Sequence, residues 1–119
     1  MKKPGITMTS LRDAQRRFAA ARDWQQFHTP KNLAMALSVE AAELLEHFQW
    51  LTAEQSMRLD AKTKTAVGEE IADVLLYLTR LADVLDIDPL AAAKRKMVIN
   101  ARKYPVHRAR GSARKYSGR

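Results

Sequence analysis

The chain has no cysteine among its 119 residues, and it contains only four glycines and four prolines. The absence of cysteine excludes zinc sites built from thiolates, and it makes the cytoplasm the expected compartment. No apolar run approaches the length of a membrane-spanning helix, and the first residues lack the apolar core of a signal peptide. No stretch alternates with a period of two, so we expect no β-sheet.

The positive net charge of +8 is concentrated in one part of the chain. Residues 102–119 hold seven basic residues and no acid, whereas the rest of the chain holds 14 basic and 13 acidic residues. We predict one helical domain of residues 1–104, followed by a basic, partly disordered tail of residues 105–119. The favoured role of the tail is solubility, and phosphate contact or nucleic-acid binding are the alternatives. Nucleic acid is not the expected partner.

Helical periodicity and capping signals predict a bundle of four main helices. A capping residue followed by proline occurs at Thr29-Pro30 and at Asp88-Pro89, and this arrangement is favoured at a helix start. Pro105 prevents the last helix from continuing. The main helices are predicted at about residues 10–22 (capped by Thr9 or Ser10), 30–50, 65–86 and 89–104, with a short helix after the capping-box pattern Thr52-x-x-Gln55.

Two pairs of acidic residues, Glu40/Glu43 and Glu70/Asp73, fall within the two long helices. The members of each pair are three residues apart, which places their side chains next to each other on a helix, about 5–6 Å apart. Each pair shares its helix face with leucines and other apolar residues, whereas acids of a solvated face would lie opposite them. Acids facing a core repel by roughly 3 kcal/mol per close pair, and desolvation adds to this cost. They must therefore be protonated or neutralised by a cation.

The available ligand types favour Mg²⁺, with Mn²⁺ as a substitute, because carboxylate oxygens suit hard cations. A di-iron bundle would need Glu-x-x-His pairs from two helices. The three histidines, at positions 28, 47 and 107, form no such pair. The predicted metal ligands are Glu40, Glu43, Glu70 and Asp73.

Two tryptophans, Trp24 and Trp50, flank the first acidic helix. Core or interface packing is the ordinary role of a tryptophan, and stacking on a nucleobase is the alternative. His28 and Tyr77 present a similar choice between an ordinary structural role and contact with a substrate.

A polar stripe on the last predicted helix consists of Lys96, Asn100 and Tyr104, which recur every four residues. Such a stripe is solvated by default. A lysine and an amide on one face could also orient and neutralise a phosphate group.

The acidic pairs, separated by 26 residues, resemble the metal-binding motif of the MazG-like all-α nucleotide pyrophosphohydrolases. The similarity extends over residues 16–116 and is greatest to the dCTP pyrophosphatase branch. It is carried by ARDWQQFHTPKNLAMALSVEAAELLEHFQW, EEIADVLLYLTRLAD and KRKMVINARKYPVHRARGSARKY. The resemblance implies an all-α fold of the four-helix-bundle type that assembles into homodimers or homotetramers.

The resemblance also implies roles for individual residues. One acid should orient the attacking water; Glu43 is expected, with Glu46 and Glu69 as alternatives. Substrate contacts are implied for Trp24, Phe27, His28, Trp50, Tyr77, Lys96, Asn100 and Tyr104.

The implied reaction is Mg²⁺-dependent cleavage of a nucleoside triphosphate between its α and β phosphates. The expected substrates are dCTP and 5-modified dCTP, the products a monophosphate and pyrophosphate, and the purpose cleansing of the nucleotide pool. The first alternative is a hydrolase of the same fold that acts on dUTP or on general nucleoside triphosphates. The second is a helical interaction module without enzymatic activity, whose basic tail binds nucleic acid. The connection after Trp50 is shorter than in some relatives, so the reaction type is better determined than the base preference.

Overall fold

The structure, a computed structural model, describes residues 5–115, and these residues form helices and no β-strand. The predicted all-α fold is therefore confirmed over the described part of the chain. Two units meet at the junction of Asp86 and Ile87, and each is considered by itself. The α-helices are α1 (Met8–Ala21), α2 (Pro30–Glu46), α3 (Ala53–Ser56), α4 (Ala61–Val84), α5 (Pro89–Lys103) and α6 (Val106–Ala109), and a 3₁₀ turn covers Gln25–Phe27.

The N-cap of the first helix lies two residues before Thr9 and three before Ser10, the two expected caps. Thr7 is the N-cap, and its hydroxyl accepts a hydrogen bond from the backbone N–H of Ser10 at 3.0 Å. The hydroxyl of Ser10 accepts one in return from the backbone N–H of Thr7 at 2.8 Å. The prediction of Thr9 or Ser10 as the cap is wrong, because Ser10 is the reciprocal partner of the cap.

The start of α2 was predicted correctly, but its end was not. Thr29 caps the helix by accepting from the backbone N–H of Asn32 at 3.2 Å, and Pro30 opens the first turn. The helix ends at Glu46, not near residue 50. After Glu46 the chain passes into turns, in which the backbone N–H groups of His47 and Phe48 donate to carbonyl groups three residues earlier at 3.3 and 2.8 Å. Thr52 then caps α3 in a capping box with Gln55.

The second long helix starts four residues earlier than predicted. Asp60 caps α4 by accepting from the backbone N–H of Thr63 at 2.7 Å. This hydrogen bond lowers the pKa of Asp60, because it favours the charged carboxylate. The helix ends at Val84, and Asp86 adopts a left-handed conformation at φ 54°, which closes the turn that follows.

The first unit is organised around α4, which packs against both α1 and α2. The buried apolar residues are few, and they lie on these three helices: Ala19, Leu33, Val67 and Ala82. Because α2 and α4 are neighbours, the two acidic pairs that they carry are brought to the same place.

The second unit contains α5 and α6. Asp88 caps α5 as predicted, because its Oδ1 accepts from the backbone N–H groups of Leu90 and Ala91 at 3.0 and 3.1 Å. The short helix α6 lies within the segment predicted as a tail. The predicted division into residues 1–104 and 105–119 stays a prediction. No helix of residues 5–115 is long and apolar enough to cross a membrane.

Candidate metal site and aromatic cavity

Three carboxylates come together between α2 and α4. Glu40, Glu43 and Glu70 can each offer an oxygen such that these atoms lie within 4.8 Å of one another. All three residues are half-buried. The Oε2 atoms of Glu40 and Glu70 are buried and have no hydrogen-bond partner among the described residues. Buried, unpartnered carboxylate oxygens in a cluster of like charge fit a hard divalent cation, which would satisfy them and neutralise the charge.

The mutual effect of these acids is visible in the protonation of Glu40. Its pKa is raised from the ordinary value of 4.5 to about 7. The largest cause is the neighbouring carboxyl group of Glu43, and burial and the carboxyl group of Glu70 add to it. Without a cation, Glu40 is therefore partly protonated near neutral pH, as expected for acids that share a site.

In the metal-free protein, we expect stability to fall as pH rises from about 5 to 8. Between 4.5 and about 7, folded Glu40 keeps a proton that the unfolded chain has released, so the free energy of unfolding decreases with rising pH. Burial and the charge of Arg80 lower the pKa of His28 below its ordinary value of 6.5. Below that pH, His28 therefore makes the free energy of unfolding increase with rising pH. Thermal unfolding in EDTA should show a larger loss for the wild type than for Glu40→Gln, which isolates this carboxyl group. Equal losses of stability in the two proteins would contradict the raised pKa of Glu40.

Asp73, the fourth predicted ligand, lies one turn after Glu70 and is half-buried. It is outside the group of three carboxylates that lie within 4.8 Å of one another, but its charge helps to raise the pKa of Glu40. Its side chain also lines a neighbouring cavity. Its role as a metal ligand stays a prediction.

Two of the three candidate catalytic acids lie away from this cluster. Glu46 is the last residue of α2 and is exposed, and Glu69 is exposed on α4. Glu43 alone of the three belongs to the carboxylate group.

A cavity of about 390 Å³ lies between α1, α2, α4 and the segment that joins the first two helices. Trp24, His28 and Tyr77, three of the predicted substrate contacts, line it together with Asp73. The volume falls within the range of small-molecule pockets, and mostly apolar and aromatic walls with a few polar groups are typical of such sites. Asp73 connects this cavity with the acidic cluster.

The ring of Trp24 packs edge to face against the rings of two neighbouring side chains of the cavity, Phe18 and His28. The ring centroids of Trp24 and Phe18 are 5.6 Å apart at 71°, and those of Trp24 and His28 are 6.3 Å apart at 67°. The guanidinium of Arg22 lies over the ring of Phe18, 3.6 Å from its centroid. These contacts restrict the orientation of Trp24 before any ligand binds.

His28 belongs to a chain of polar contacts that begins on α1. The Nε of Arg80 donates to Nδ1 of His28 at 3.0 Å, and its Nη1 donates to Asp83 at 3.2 Å. Arg16 donates hydrogen bonds to both carboxylate oxygens of Asp83, from Nη2 to Oδ1 and from Nε to Oδ2, the latter at 2.8 Å. The hydrogen bond from Arg16 lowers the pKa of Asp83. Because Nδ1 of His28 accepts, the neutral imidazole carries its hydrogen on Nε2 and can donate from there.

Three residues near the cavity were not predicted from the sequence: Arg80, Asp83 and Gln15. Of these, Gln15 lines the cavity from α1. A signal existed for Arg80, because it follows Asp73 by seven residues and so shares its helix face. Gln15 is a polar residue on the apolar stripe of α1 between Leu11 and Phe18. Neither signal identifies the partner, which lies more than 50 residues away in each case.

The remaining predicted substrate contacts do not line this cavity. Phe27 and Trp50 are 59% and 87% exposed. Lys96, Asn100 and Tyr104 are exposed on α5 and at its end, in the second unit. Their roles stay predictions.

A second hollow, of about 540 Å³, lies where α2, α3 and α4 succeed each other along the chain. It is larger than the aromatic cavity, but none of the four predicted metal ligands and no tryptophan or tyrosine lines it. His47 and the ion pair of Glu54 with Arg58 line it instead. The aromatic cavity is the better candidate for the functional site, because it adjoins the acidic cluster and is lined by aromatic side chains.

The described residues thus form an all-helical protein in which a carboxylate cluster that could hold a cation lies beside an aromatic cavity. Residues 35–118 match the MazG-like family, and the chain belongs to this family. The predicted family membership is therefore confirmed.

The chain is also similar to named proteins over most of its length. It is 44% identical to human dCTP pyrophosphatase 1 over 116 residues, which are 96% of this chain and 68% of the human protein. It is 45% identical to the rat dCTP pyrophosphatase 1 over the same shares of the two chains. The crystal structure of a pyrophosphatase from Archaeoglobus fulgidus is similar with a TM-score of 0.80 and 47% identity, covering 88% of this chain and 98% of that one.

Proposed function

We propose that the protein hydrolyses dCTP and 5-modified dCTP between the α and β phosphates, giving the monophosphate and pyrophosphate. The observation that carries this proposal is the cluster of Glu40, Glu43 and Glu70 beside the aromatic cavity, with Asp73 common to both. A cation held by the acids and a flat base held by the aromatic walls are the two requirements of a nucleotide-cleaving site.

The enzyme class predicted from the sequence, a nucleotide pyrophosphohydrolase, is confirmed by relatives that are 43–45% identical over nearly the whole chain. The preference for dCTP is taken from the names of those relatives. The same fold acting on dUTP or on general nucleoside triphosphates is the alternative that substrate competition must test.

We assign Mg²⁺ to Glu40, Glu43 and Glu70, with Asp73 as the fourth carboxylate and Mn²⁺ as a substitute. Bound there, the ion supplies charge neutralisation for phosphate oxygens and acidifies a water molecule for attack. The buried, unpartnered oxygens of Glu40 and Glu70 support this assignment. A ligand set of oxygens alone favours Mg²⁺ over softer metals.

Base binding and orientation of the attacking water are assigned to side chains of the cavity and of the cluster. Trp24 and Tyr77 hold the base by its faces, and His28, held by Arg80, donates from Nε2 to an acceptor on the substrate. Glu43 is our choice for the acid that orients the attacking water, since Glu46 and Glu69 lie on exposed positions.

The polar stripe of α5 is assigned to the phosphates. Lys96 carries a positive charge that suits a polyphosphate, and Asn100 can orient a phosphate oxygen by donating from its amide. Tyr104, at the end of the same stripe, is assigned to substrate contact together with Lys96 and Asn100.

We further propose that the protein is a homodimer or homotetramer. The first unit leaves apolar side chains exposed on both of its long helices, among them Val39 at 55% and Ile71 at 53%. Apolar stripes of this kind are typical of surfaces that assemble. Trp50 and Phe27, which are exposed in the isolated chain, would complete a pocket through this assembly. A monomer in sedimentation velocity at micromolar concentration would contradict this proposal.

Cleansing of the nucleotide pool and a cytoplasmic location stay predictions. The first rests on the resemblance, and the second on the absence of cysteine and of a recognisable signal peptide.

The proposed reaction is tested by incubating the protein with the eight common nucleoside triphosphates and with 5-methyl-dCTP, with and without Mg²⁺. We expect dCMP and pyrophosphate from dCTP, only with the ion, resolved by ion-exchange chromatography. The same reaction run in ¹⁸O-labelled water identifies the phosphorus atom that water attacks: label in the monophosphate indicates the α phosphorus, and label in pyrophosphate indicates the β phosphorus.

Release of orthophosphate in place of pyrophosphate would contradict cleavage between the α and β phosphates. Absence of turnover for every nucleotide would favour the interaction module. In that case, steeply salt-dependent DNA binding that is lost on deletion of residues 105–119 would be expected.

A further inference from the structure

One polar side chain of the aromatic cavity has an unused hydrogen-bonding atom. The Nε2 of Gln15 on α1 donates to the carbonyl oxygen of Leu76 on α4 at 2.8 Å. This contact fixes the positions of the amide nitrogen and oxygen of Gln15, since only the nitrogen can donate to a carbonyl oxygen. The Oε1 of Gln15 is buried, and within residues 5–115 it has no hydrogen-bond partner. Nearly all buried acceptors in folded proteins are paired, so this oxygen is available to a ligand.

The chemistry of this atom restricts the ligand group that it can bind. An amide oxygen accepts and does not donate, so the matching group must carry a hydrogen. The cavity walls include Trp24 and Tyr77, which suit a flat ring, and Asp73 links the cavity to the carboxylate cluster. A base in the cavity can thus direct its phosphates toward the acids.

We propose that Oε1 of Gln15 accepts a hydrogen bond from the exocyclic amino group of a cytosine base, which makes Gln15 a specificity-determining residue. The inference rests on the proposed function, because it takes a nucleoside triphosphate as the occupant of the cavity. Cytosine presents an N4 amino donor at the position where uracil and thymine present the O4 carbonyl. With those bases two acceptor oxygens would face each other, and the buried amide oxygen would stay unpaired.

His28 supplies the complementary group in the same cavity. Its Nδ1 accepts from Arg80, so Nε2 is a donor that can serve an acceptor of the base. An acceptor and a donor together could also bind uracil through its N3–H and a carbonyl. The experiment must therefore separate the amino group from N3–H.

The test compares kcat/KM in Mg²⁺ for three substrates: dCTP, dUTP and the 2-pyrimidinone deoxynucleoside triphosphate, which is dCTP without the amino group. The proteins are the wild type, Gln15→Met, which removes the amide at similar size, and Gln49→Met as a matched control on an exposed position. For the wild type, we expect loss of the amino group to lower kcat/KM about 10- to 100-fold.

In Gln15→Met, kcat/KM for dCTP should fall by the same factor, while the value for the 2-pyrimidinone analogue should change little. Gln49→Met should behave as the wild type. An equal loss for dCTP and the analogue in Gln15→Met would overturn the proposal and assign Gln15 to the contact between α1 and α4. A loss confined to dUTP would overturn it in favour of the N3–H of uracil.

The wild-type comparison of dCTP with the analogue decides the matter even where Gln15→Met does not fold. Equal kcat/KM values for the two substrates overturn the proposal. Failure of the proposed function looks different, because the wild type would then convert none of the nucleotides to a monophosphate and pyrophosphate.

Discussion

Glu40→Gln is expected to lower kcat/KM for dCTP at least about 1,000-fold, while the protein stays folded. A cation at such a site contributes several kcal/mol of charge stabilisation in the transition state, and about 4 kcal/mol corresponds to this factor. In EDTA, the variant should be as stable as the wild type or more stable, because an amide removes one of three repelling carboxylates. Activity assays, Mg²⁺ titration calorimetry and thermal unfolding measure the three effects separately.

The matched control is Glu54→Gln, which removes an exposed carboxylate of α3 that pairs with Arg58 on the same surface. We expect little change in its activity. Asp73→Asn should abolish turnover as well, as a fourth carboxylate of the site. Unchanged activity in both Glu40→Gln and Asp73→Asn would refute the assignment of the metal site.

Asp83→Asn is expected to destabilise the protein by about 2–3 kcal/mol, which lowers Tm by roughly 10 °C. The Asp83 side chain is 7% exposed and joins Arg16 of α1 to Arg80 of α4. Its removal leaves the guanidinium of Arg80, itself 10% exposed, without its anion. Because the side chain of Arg16 is 52% exposed, we expect less than the full cost of breaking a buried pair.

Asp13→Asn provides the control, since Asp13 also pairs with Arg16 but is 41% exposed. It should change stability by less than about 0.5 kcal/mol. The pKa of Asp83 is lowered in the folded state, so its contribution is complete above the ordinary value of 3.8 and is lost as pH falls below it. The difference between the wild type and Asp83→Asn should therefore be constant from about pH 8 to 5 and shrink below about pH 4. Equal, small effects of both variants would contradict this role.

The starts of α2, α3 and α5 were predictable because their determinants are local. Thr29 and Asp88 cap helices whose first residue is proline, and the cap contacts reach only two or three residues along the chain. The end of α2 was missed because the chain passes into turns after Glu46. Periodicity continued through residues 47–50, and a helical pattern by itself contains no signal for a turn of this kind.

The acidic pairs were also predictable, since their position among apolar residues on two helices is a property of spacing alone. The meeting of Glu40 with Glu70 required only that the two helix faces pack together, which the burial of apolar stripes favours.

By itself, the sequence determined the helical class, the caps at Thr29 and Asp88, and the acids that face inward, because these depend on residues within one or two helical turns. Only the tertiary structure decided which side chains from distant segments meet. The contacts of Gln15 with Leu76 and of Arg80 with His28 span 61 and 52 residues. Their partners depend on the orientation and register of packed helices, and neither is encoded in a local pattern.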